Sequence, residues 1–118
     1  CSAGSSDVLP VAVRMGNVIY TGGLSPSDPA TGKTSEDPAE QIAQAFANAE
    51  TIMKAAGATM DDVVKIDVKL KDMASRGAVN DVWIKYFPDE TNRPVRKTDQ
   101  GNLAGAMQVQ LEVVAQLG

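Results

Sequence analysis

The chain has 118 residues, of which 43% are hydrophobic and 22% charged, and its formal net charge is −4. This size and composition predict one globular domain over residues 1–118. The acidic balance argues against a nucleic-acid-binding surface, and no apolar run reaches the length of a membrane span. The chain has no histidine and one cysteine, Cys1, which excludes histidine-based catalysis, histidine metal sites and an internal disulfide.

The N-terminal quarter of the sequence predicts an arm followed by a hairpin. Residues 1–7 are small and polar, which is typical of a loose terminal arm. Alternating valines at 11–13 and the residues 18–21 predict two short strands, joined by a tight turn at Gly16-Asn17. The glycine pair that follows, Gly22-Gly23, indicates either a bulge or a close approach of the backbone to another group.

A loop and the clearest helix come next. Residues 25–38 are rich in Ser, Pro, Gly and Asp and predict a loop. Asp37 is a favourable N-cap, Pro38 fits the first helical position, and Glu40 stands where a capping box has its acidic residue. Gly57 predicts a left-handed C-terminal cap. The apolar positions recur at helical spacing and predict a buried stripe: Ile42, Phe46, Ala49, Ile52, Met53 and Ala56.

The rest of the chain predicts a strand, a helix, an extended segment and a final strand. Residues 63–72 alternate, with Val64, Ile66, Val68 and Leu70 on one face and Lys65, Asp67, Lys69 and Lys71 on the other. A shorter helix is predicted from about Ser75 to Phe87, with a buried stripe formed by Val79, Trp83 and either Tyr86 or Phe87. Pro94 favours an extended segment at 92–100. The last strand alternates Met107, Val109, Leu111 and Val113 with Gln108, Gln110 and Glu112.

This order of elements predicts an α+β fold, a mixed β-sheet with two helices packed on one face. The opposite face carries Gln110, Glu112 and the lysines of the strand predicted at 63–72. That face therefore meets either solvent or another subunit.

Two arginines are the most informative candidates for a functional site. Arg93 and Arg96 are an odd number of positions apart, so in an extended chain they point to opposite faces, and a single pocket is expected to receive only one of them. Both are compatible with solvated surface charges. Alternatively, one binds a ligand carboxylate, since a guanidinium offers two parallel N–H donors that lysine lacks.

Three other residues have both a structural and a functional interpretation. Glu112 is either a solvated outer-face carboxylate or a group that positions a water molecule. Thr21 is either an ordinary strand residue or a hydroxyl beside the flexible backbone at Gly22, where a small ligand can approach. Asn80 on the second helix is a surface amide unless the site includes it.

Several stretches, in this order, resemble the RidA/YjgF family of enamine/imine deaminases, which an older usage labels endoribonuclease L-PSP. The resemblance covers residues 8 to 117. The motifs that carry it are "GNVIYTGG", the helix and strand from Asp37 to Met73 with their "AAG" and "VVK" signatures, "VNDVWIKYFP", "RPVRKTD" and "VQLEVVA".

The resemblance implies a Bacillus chorismate-mutase-like fold and a homotrimer with inward-facing sheets and clefts between subunits. It implies that Arg96, rather than Arg93, binds the carboxylate of the substrate and that Glu112 positions the attacking water. Thr21, Gly22 and Asn80 match positions that line the family's cleft. The implied reaction is the hydrolysis of 2-aminoacrylate and 2-imino acids to 2-keto acids and ammonia, with no metal or cofactor.

Three departures from the family pattern affect the cleft walls. Leu9 stands where the family commonly has a tyrosine, and Thr98 stands where it often has a cysteine. Residues 97–108 are rich in glycine, whereas the family usually has apolar residues and a proline in this segment. Alternatives are therefore a trimer that binds small carboxylates without turnover or acts as a chaperone, and, less favoured, an endoribonuclease. We expect no nucleic-acid or membrane partner and a cytoplasmic location; a lipidated or exported form is a lesser alternative because of Cys1.

Overall fold

The computed structural model describes residues 2–3, 12–103 and 105–117. Its strands are β1 (Ser2–Ala3), β2 (Ala12–Met15), β3 (Val18–Thr21), β4 (Val63–Leu70), β5 (Val95–Gln100) and β6 (Val109–Gln116). Its α-helices are α1 (Pro38–Ala55) and α2 (Arg76–Tyr86). Single 3-10 turns lie at Met60–Asp62, Met73–Ser75 and Glu90–Asn92. Except at Ser2–Ala3, the predicted N-terminal arm lies outside the described residues.

The strands form one mixed sheet in the order β1-β2-β3-β6-β4-β5. Neighbours are antiparallel except β4 and β5, which run parallel and are connected through α2. The hairpin between β2 and β3 turns where the sequence predicts it, with Gly16 at a φ of 61° that glycine tolerates best. From β2 onward the predicted order of elements is confirmed, as is the α+β class. At Ser2–Ala3 the prediction of a loose arm is wrong, because β1 pairs there with Ala12 and Val13 of β2.

Both helices pack on one face of the sheet and enclose a single core. Ile19 of β3, Ile66 of β4 and Leu111 of β6 are fully buried beneath Phe46 of α1. The aromatic residues of α2 extend this core: the Phe46 and Trp83 rings meet edge to face, with 6.4 Å between their centroids. None of the helices in the described part of the chain combines the length and the apolar character that crossing a bilayer requires.

The predicted alternation along β4 is wrong at one position. Val64 was expected to point into the core, but it is exposed, and Val63 is buried in its place. The cause is a register shift between Val63 and Lys65, where β4 pairs with β6 irregularly. From Ile66 onward the predicted alternation holds, so the bulge affects only the first residues of β4.

The N-terminus of α1 is capped as predicted by Asp37, whose carboxylate accepts a hydrogen bond from the Ala39 N–H at 3.1 Å. The predicted capping box is wrong in one respect. Glu40 accepts a hydrogen bond from the Ser35 hydroxyl, and the Asp37 N–H donates to that same hydroxyl at 3.1 Å. Ser35 therefore relays the contact that Glu40 was expected to make directly.

The predicted stripe of α1 and its C-terminal cap agree with the structure, with Gly57 at a φ of 87°. Arg14 of β2 reaches this helix end, where its Nη1 donates to the Ala56 carbonyl at 3.2 Å. A cation at the C-terminus of a helix also offsets the partial negative charge of the last carbonyls. The N-terminal hairpin and α1 are thereby connected.

Gln41, on the first turn of α1, is a fully buried polar residue. Its Nε2 donates to the Ser35 carbonyl at 2.6 Å and to the Ala106 carbonyl at 2.9 Å. Its Oε1 accepts from the Gln108 N–H at 2.7 Å. One amide thus connects the loop before α1 to the loop before β6, the strand that carries Glu112.

We predict that Gln41→Leu lowers the free energy of unfolding by about 2 kcal/mol, because three partly buried backbone groups lose their partner. Gln44→Leu is the matched control, since Gln44 lies on the same helix and, among the described residues, bonds only the Asn48 side chain; it should change stability by less than about 1 kcal/mol. Urea denaturation measures both. Equal stabilities of the two variants would contradict a bridging role for Gln41.

Candidate functional site

The placement of Arg96 follows from the pairing of β5 with β4. Arg96 stands opposite Ile66, and Thr98 stands opposite Val68, in a parallel register. Side chains at paired positions lie on the same face of a sheet. The β4 partners, Ile66 and Val68, are buried beneath the helices. Arg96 and Thr98 therefore lie on the helix-covered face, at the sheet edge that β5 forms.

Two residues of α2 hold the Arg96 guanidinium. Its Nη2 donates to the Asn80 Oδ1 at 2.6 Å, and its Cζ lies 5.1 Å from the centroid of the Trp83 ring. Asn80 and Trp83 are three positions apart on the helix, so they present neighbouring side chains to β5. The contact with the ring face adds a cation–π attraction. Together these contacts orient the guanidinium, and among the described residues neither Nε nor Nη1 makes a hydrogen bond, so both are available to a ligand.

The surroundings of Arg96 disfavour a positive charge that has no anion nearby. Burial lowers the pKa of Arg96, and the positive charge of Arg76 lowers it further. The guanidinium stays protonated at any physiological pH, because an arginine pKa begins far above that range. The cost of holding the cation there is reduced when an anion binds beside it. The site thus favours carboxylate or another small anion.

Arg93 lies in the same hollow as Arg96, contrary to the expectation that one pocket receives only one of them. The hollow has a volume of about 440 Å³ and is lined by both arginines, Asn80, Trp83, Ile84 and Pro94. The strict alternation of side chains does not reach Arg93, since β5 begins at Val95 and a 3-10 turn precedes it. The Arg93 Nε donates to the Phe87 carbonyl at 2.8 Å.

Glu112 lies on the other face of the sheet. It pairs with Asp67 of β4, which in turn pairs with Lys97 of β5. These three residues belong to the face that no helix of the described chain covers, and Glu112 is exposed there. Within one chain the sheet separates Glu112 from Arg96, so the two residues do not share a pocket.

Asp67 beside Glu112 is a neighbour that the sequence analysis did not connect with the site. Its Oδ1 is buried and makes no hydrogen bond to a described residue, although the Lys65 ammonium lies 3.7 Å away, too far for one. The strand pattern places Asp67 on this face, but only the register of two strands distant in sequence places it opposite Glu112.

Thr21 and the two glycines form a bulge next to Glu112. Between the pairs Tyr20–Val114 and Leu24–Leu111, three residues of one segment face two of β6. The Thr21 hydroxyl accepts from the Val113 N–H at 2.8 Å and donates to the Gly22 carbonyl at 2.9 Å. It thus completes the ladder where the backbones diverge, and the bulge interpretation of Gly22-Gly23 is the one observed.

Gly23 of this bulge lies close to the side chain of Gln110, which would have to move to admit a larger residue. A Cβ at Gly23 would lie 2.3 Å from the Gln110 Nε2, so the backbone runs directly over the open face beside β6. Leu9, the remaining predicted site residue, lies outside the described residues. Among the residues that the structure describes, no group of three His, Cys, Asp or Glu side chains could hold a metal ion.

The candidate residues thus lie on the two faces of one sheet. Comparison of the whole chain with known proteins assigns it to one family. The family model for endoribonuclease L-PSP matches residues 8–117. The chain belongs to this family, which is also called RidA/YjgF.

Relatives and solved structures agree with this assignment. A RutC family protein of Pyrococcus abyssi is 33% identical over 106 residues, 88% of this chain and 82% of the relative. The 2-iminobutanoate/2-iminopropanoate deaminase of Escherichia coli K12 is 31% identical over 105 residues, with coverage of 87% and 82%. The crystal structure of the E. coli YjgF gene product has a TM-score of 0.88 at 28% identity and covers 99% of this chain and 94% of its own.

Trp83 is the one tryptophan of the chain, so its fluorescence reports directly on the Arg96 hollow. We predict that propionate changes this fluorescence saturably. Arg96→Lys should weaken the binding about tenfold, since lysine lacks the paired donors that match a carboxylate. Lys54→Gln, an exposed position on α1, is the control for a lost charge. Undiminished binding by Arg96→Lys would show that the anion binds elsewhere.

Proposed function

We propose that the chain is a homotrimeric, cofactor-independent deaminase that hydrolyses 2-imino acids and their enamine tautomers to 2-keto acids and ammonia. The observation that carries the proposal is the Arg96 guanidinium, held between Asn80 and Trp83 in a hollow that disfavours an isolated cation. The name of the E. coli relative supports the reaction type. Relatives at this identity support the reaction class more strongly than any particular imine.

The reaction requires little beyond orientation and a correctly placed water. Arg96 binds the substrate carboxylate, which fixes the adjacent imine carbon. Water adds to that carbon as the C=N π electrons move to nitrogen, and Glu112 accepts the proton that water releases. Glu112 returns this proton to the nitrogen, which gives a neutral carbinolamine. Glu112 then takes the hydroxyl proton as C=O forms and the C–N bond breaks, and it passes this proton to the departing nitrogen, which leaves as ammonia.

The separation of Arg96 and Glu112 explains why the proposal includes an oligomer, and the family resemblance implies that the oligomer is a trimer. Each chain contributes Arg96 from its helix-covered face and Glu112 from its open face, so a complete site needs Glu112 of a neighbouring copy. The open face suits such a contact. Tyr20 of β3 and Val95 of β5 lie in one row across it, 49% and 66% exposed. Exposed apolar side chains on a sheet face are typical of surfaces that a partner covers.

The other predicted site residues contribute to the walls of the proposed cleft. Gly22 lies in the bulge opposite Val113 and Glu112, and we assign it to the wall of the cleft. Thr21 has a structural task in the bulge, so we assign its hydroxyl at most a supporting contact with substrate. Thr98 shares a face with Arg96, and its hydroxyl stands where the family often has a thiol. Leu9 stays a proposal from the sequence.

We predict that the purified protein consumes imine generated by an amino-acid oxidase from 2-aminobutyrate, which appears as slower formation of the semicarbazone in the presence of semicarbazide. Arg96→Ala should reduce kcat/KM about a hundredfold or more, a loss of roughly 3 kcal/mol of transition-state binding. Glu112→Gln should lower kcat and still bind 2-oxobutanoate, as measured through Trp83 fluorescence. Lys54→Gln should match the wild type.

The same assay distinguishes the alternatives. Saturable 2-oxobutanoate binding without any ammonia release would support a binding protein and contradict a deaminase. RNA cleavage that co-elutes with the oligomer and disappears in Arg96→Ala would support the ribonuclease that the name of the family model suggests. Equal semicarbazone rates with wild type, with Arg96→Ala and without protein would refute the proposal.

A further inference from the structure

The hollow that holds Arg96 contains a second guanidinium that the proposed reaction does not use. Hydrolysis of a monocarboxylic imine needs one cation for the carboxylate, and Arg96 supplies it. Arg93 lines the same hollow. Its Nε bond to the Phe87 carbonyl fixes the plane of the guanidinium, and among described residues Nη1 and Nη2 make no hydrogen bond. Two donors of a held arginine are therefore available beside the first anion site.

The charge around the hollow is positive although the chain is acidic. The net charge is −4, yet none of the residues that line the hollow is Asp or Glu. Arg76 lies close enough to lower the pKa of Arg96, a second effect after burial. The ion pairs within 4 Å among described residues join Lys65 to Asp67 and Lys97 to Asp99, both on the open face. Neither includes an arginine of the hollow.

One carboxylate interacts weakly with Arg93 from outside the hollow. Asp89 precedes the 3-10 turn, and its pKa is lowered mainly by hydrogen bonds from Thr91 and least by the charge of Arg93. The Asp89 carboxylate is therefore bound to Thr91, with Thr91 N and Oγ1 donating at 2.9 and 2.7 Å. No ion pair within 4 Å joins Asp89 to Arg93 among the described residues, so the Arg93 charge is available to a ligand.

The remaining lining suits a short carbon chain between two anionic ends. Trp83, Ile84 and Pro94 supply apolar surface in the same hollow as the two arginines. Pro94 separates Arg93 from β5 and fixes the local backbone, which limits the freedom of the preceding residue. An aliphatic chain can lie on this surface with a carboxylate at each guanidinium.

We propose that Arg93 is a specificity-determining residue and that the chain prefers imines of dicarboxylic amino acids, with Arg96 binding the carboxylate next to the imine and Arg93 binding the side-chain carboxylate. This inference rests on the proposed function for its substrate class. The inference adds to the proposed function a second binding contact, between Arg93 and the side-chain carboxylate, which a monocarboxylic imine cannot make.

The test measures binding and turnover separately on the full chain. Binding of 2-oxoglutarate and 2-oxobutanoate, the keto products of a dicarboxylic and a monocarboxylic imine, is followed by Trp83 fluorescence. Wild type should bind 2-oxoglutarate about tenfold more tightly. Arg93→Gln should remove this preference and change 2-oxobutanoate affinity by less than about twofold. Arg96→Ala should weaken the binding of both ligands. Lys85→Gln removes an exposed charge on α2 outside the hollow and should weaken the binding of neither ligand.

Arg93 also bonds the Phe87 carbonyl, so its loss could act through the local fold. Arg93→Lys keeps the charge without the paired donors and should give an intermediate preference, whereas a purely structural role would weaken both ligands equally. The inference would be overturned if Arg93→Gln weakened the binding of both keto acids equally. It would also be overturned if the wild type bound 2-oxobutanoate at least as tightly as 2-oxoglutarate.

Turnover distinguishes this failure from failure of the proposed function. Imine is generated by flavin oxidases from glutamate or from 2-aminobutyrate and trapped with semicarbazide. Faster consumption of the dicarboxylic imine, lost in Arg93→Gln, supports the inference. Consumption of both imines at equal rates overturns the inference and leaves the deaminase intact. Consumption of neither refutes the deaminase, and the keto-acid affinities then decide the role of Arg93 alone.

Discussion

The parallel pairing of β4 with β5 is the constraint on which the rest of the site depends. It places Arg96 opposite the buried Ile66, so the guanidinium has to lie under α2, against Asn80 and Trp83. The antiparallel pairing of β4 with β6 places Glu112 opposite Asp67 on the open face. Because side chains alternate across a sheet, no rotamer brings Arg96 and Glu112 of one chain together. A mechanism that uses both residues therefore requires two chains.

The energetics of the site follow from this placement. An arginine at a partly buried sheet edge loses hydration, and the Asn80 carbonyl and the Trp83 ring restore only part of it, which is why the pKa of Arg96 lies below its usual range. An anion bound beside the guanidinium would complete the compensation, and under the proposed function the same contact orients the substrate. The scaffold is held by equally specific contacts, above all the Gln41 amide that joins the loops flanking α1 and β6.

Local sequence patterns predicted the elements well but could not predict how elements meet. The hairpin at Gly16, the capping of α1 by Asp37 and the alternation of β6 depend on neighbours in sequence, and all are observed. Val64 was misplaced because the register shift in β4 depends on its pairing with β6. The shared hollow of Arg93 and Arg96 was missed because alternation was applied to a residue that lies before the strand. The separation of Glu112 from Arg96 needed the strand order, which the sequence analysis did not predict.

Complementation between two inactive variants tests the two-chain site most directly. Arg96→Ala and Glu112→Gln chains are co-expressed, and imine hydrolysis by the mixed oligomer is compared with that of each variant alone. If each site takes Arg96 from one chain and Glu112 from its neighbour, a mixed trimer holds one intact site of three. Random 1:1 assembly should then restore about one quarter of wild-type activity. Activity no higher than the average of the separate variants would show that the two residues do not act together across an interface.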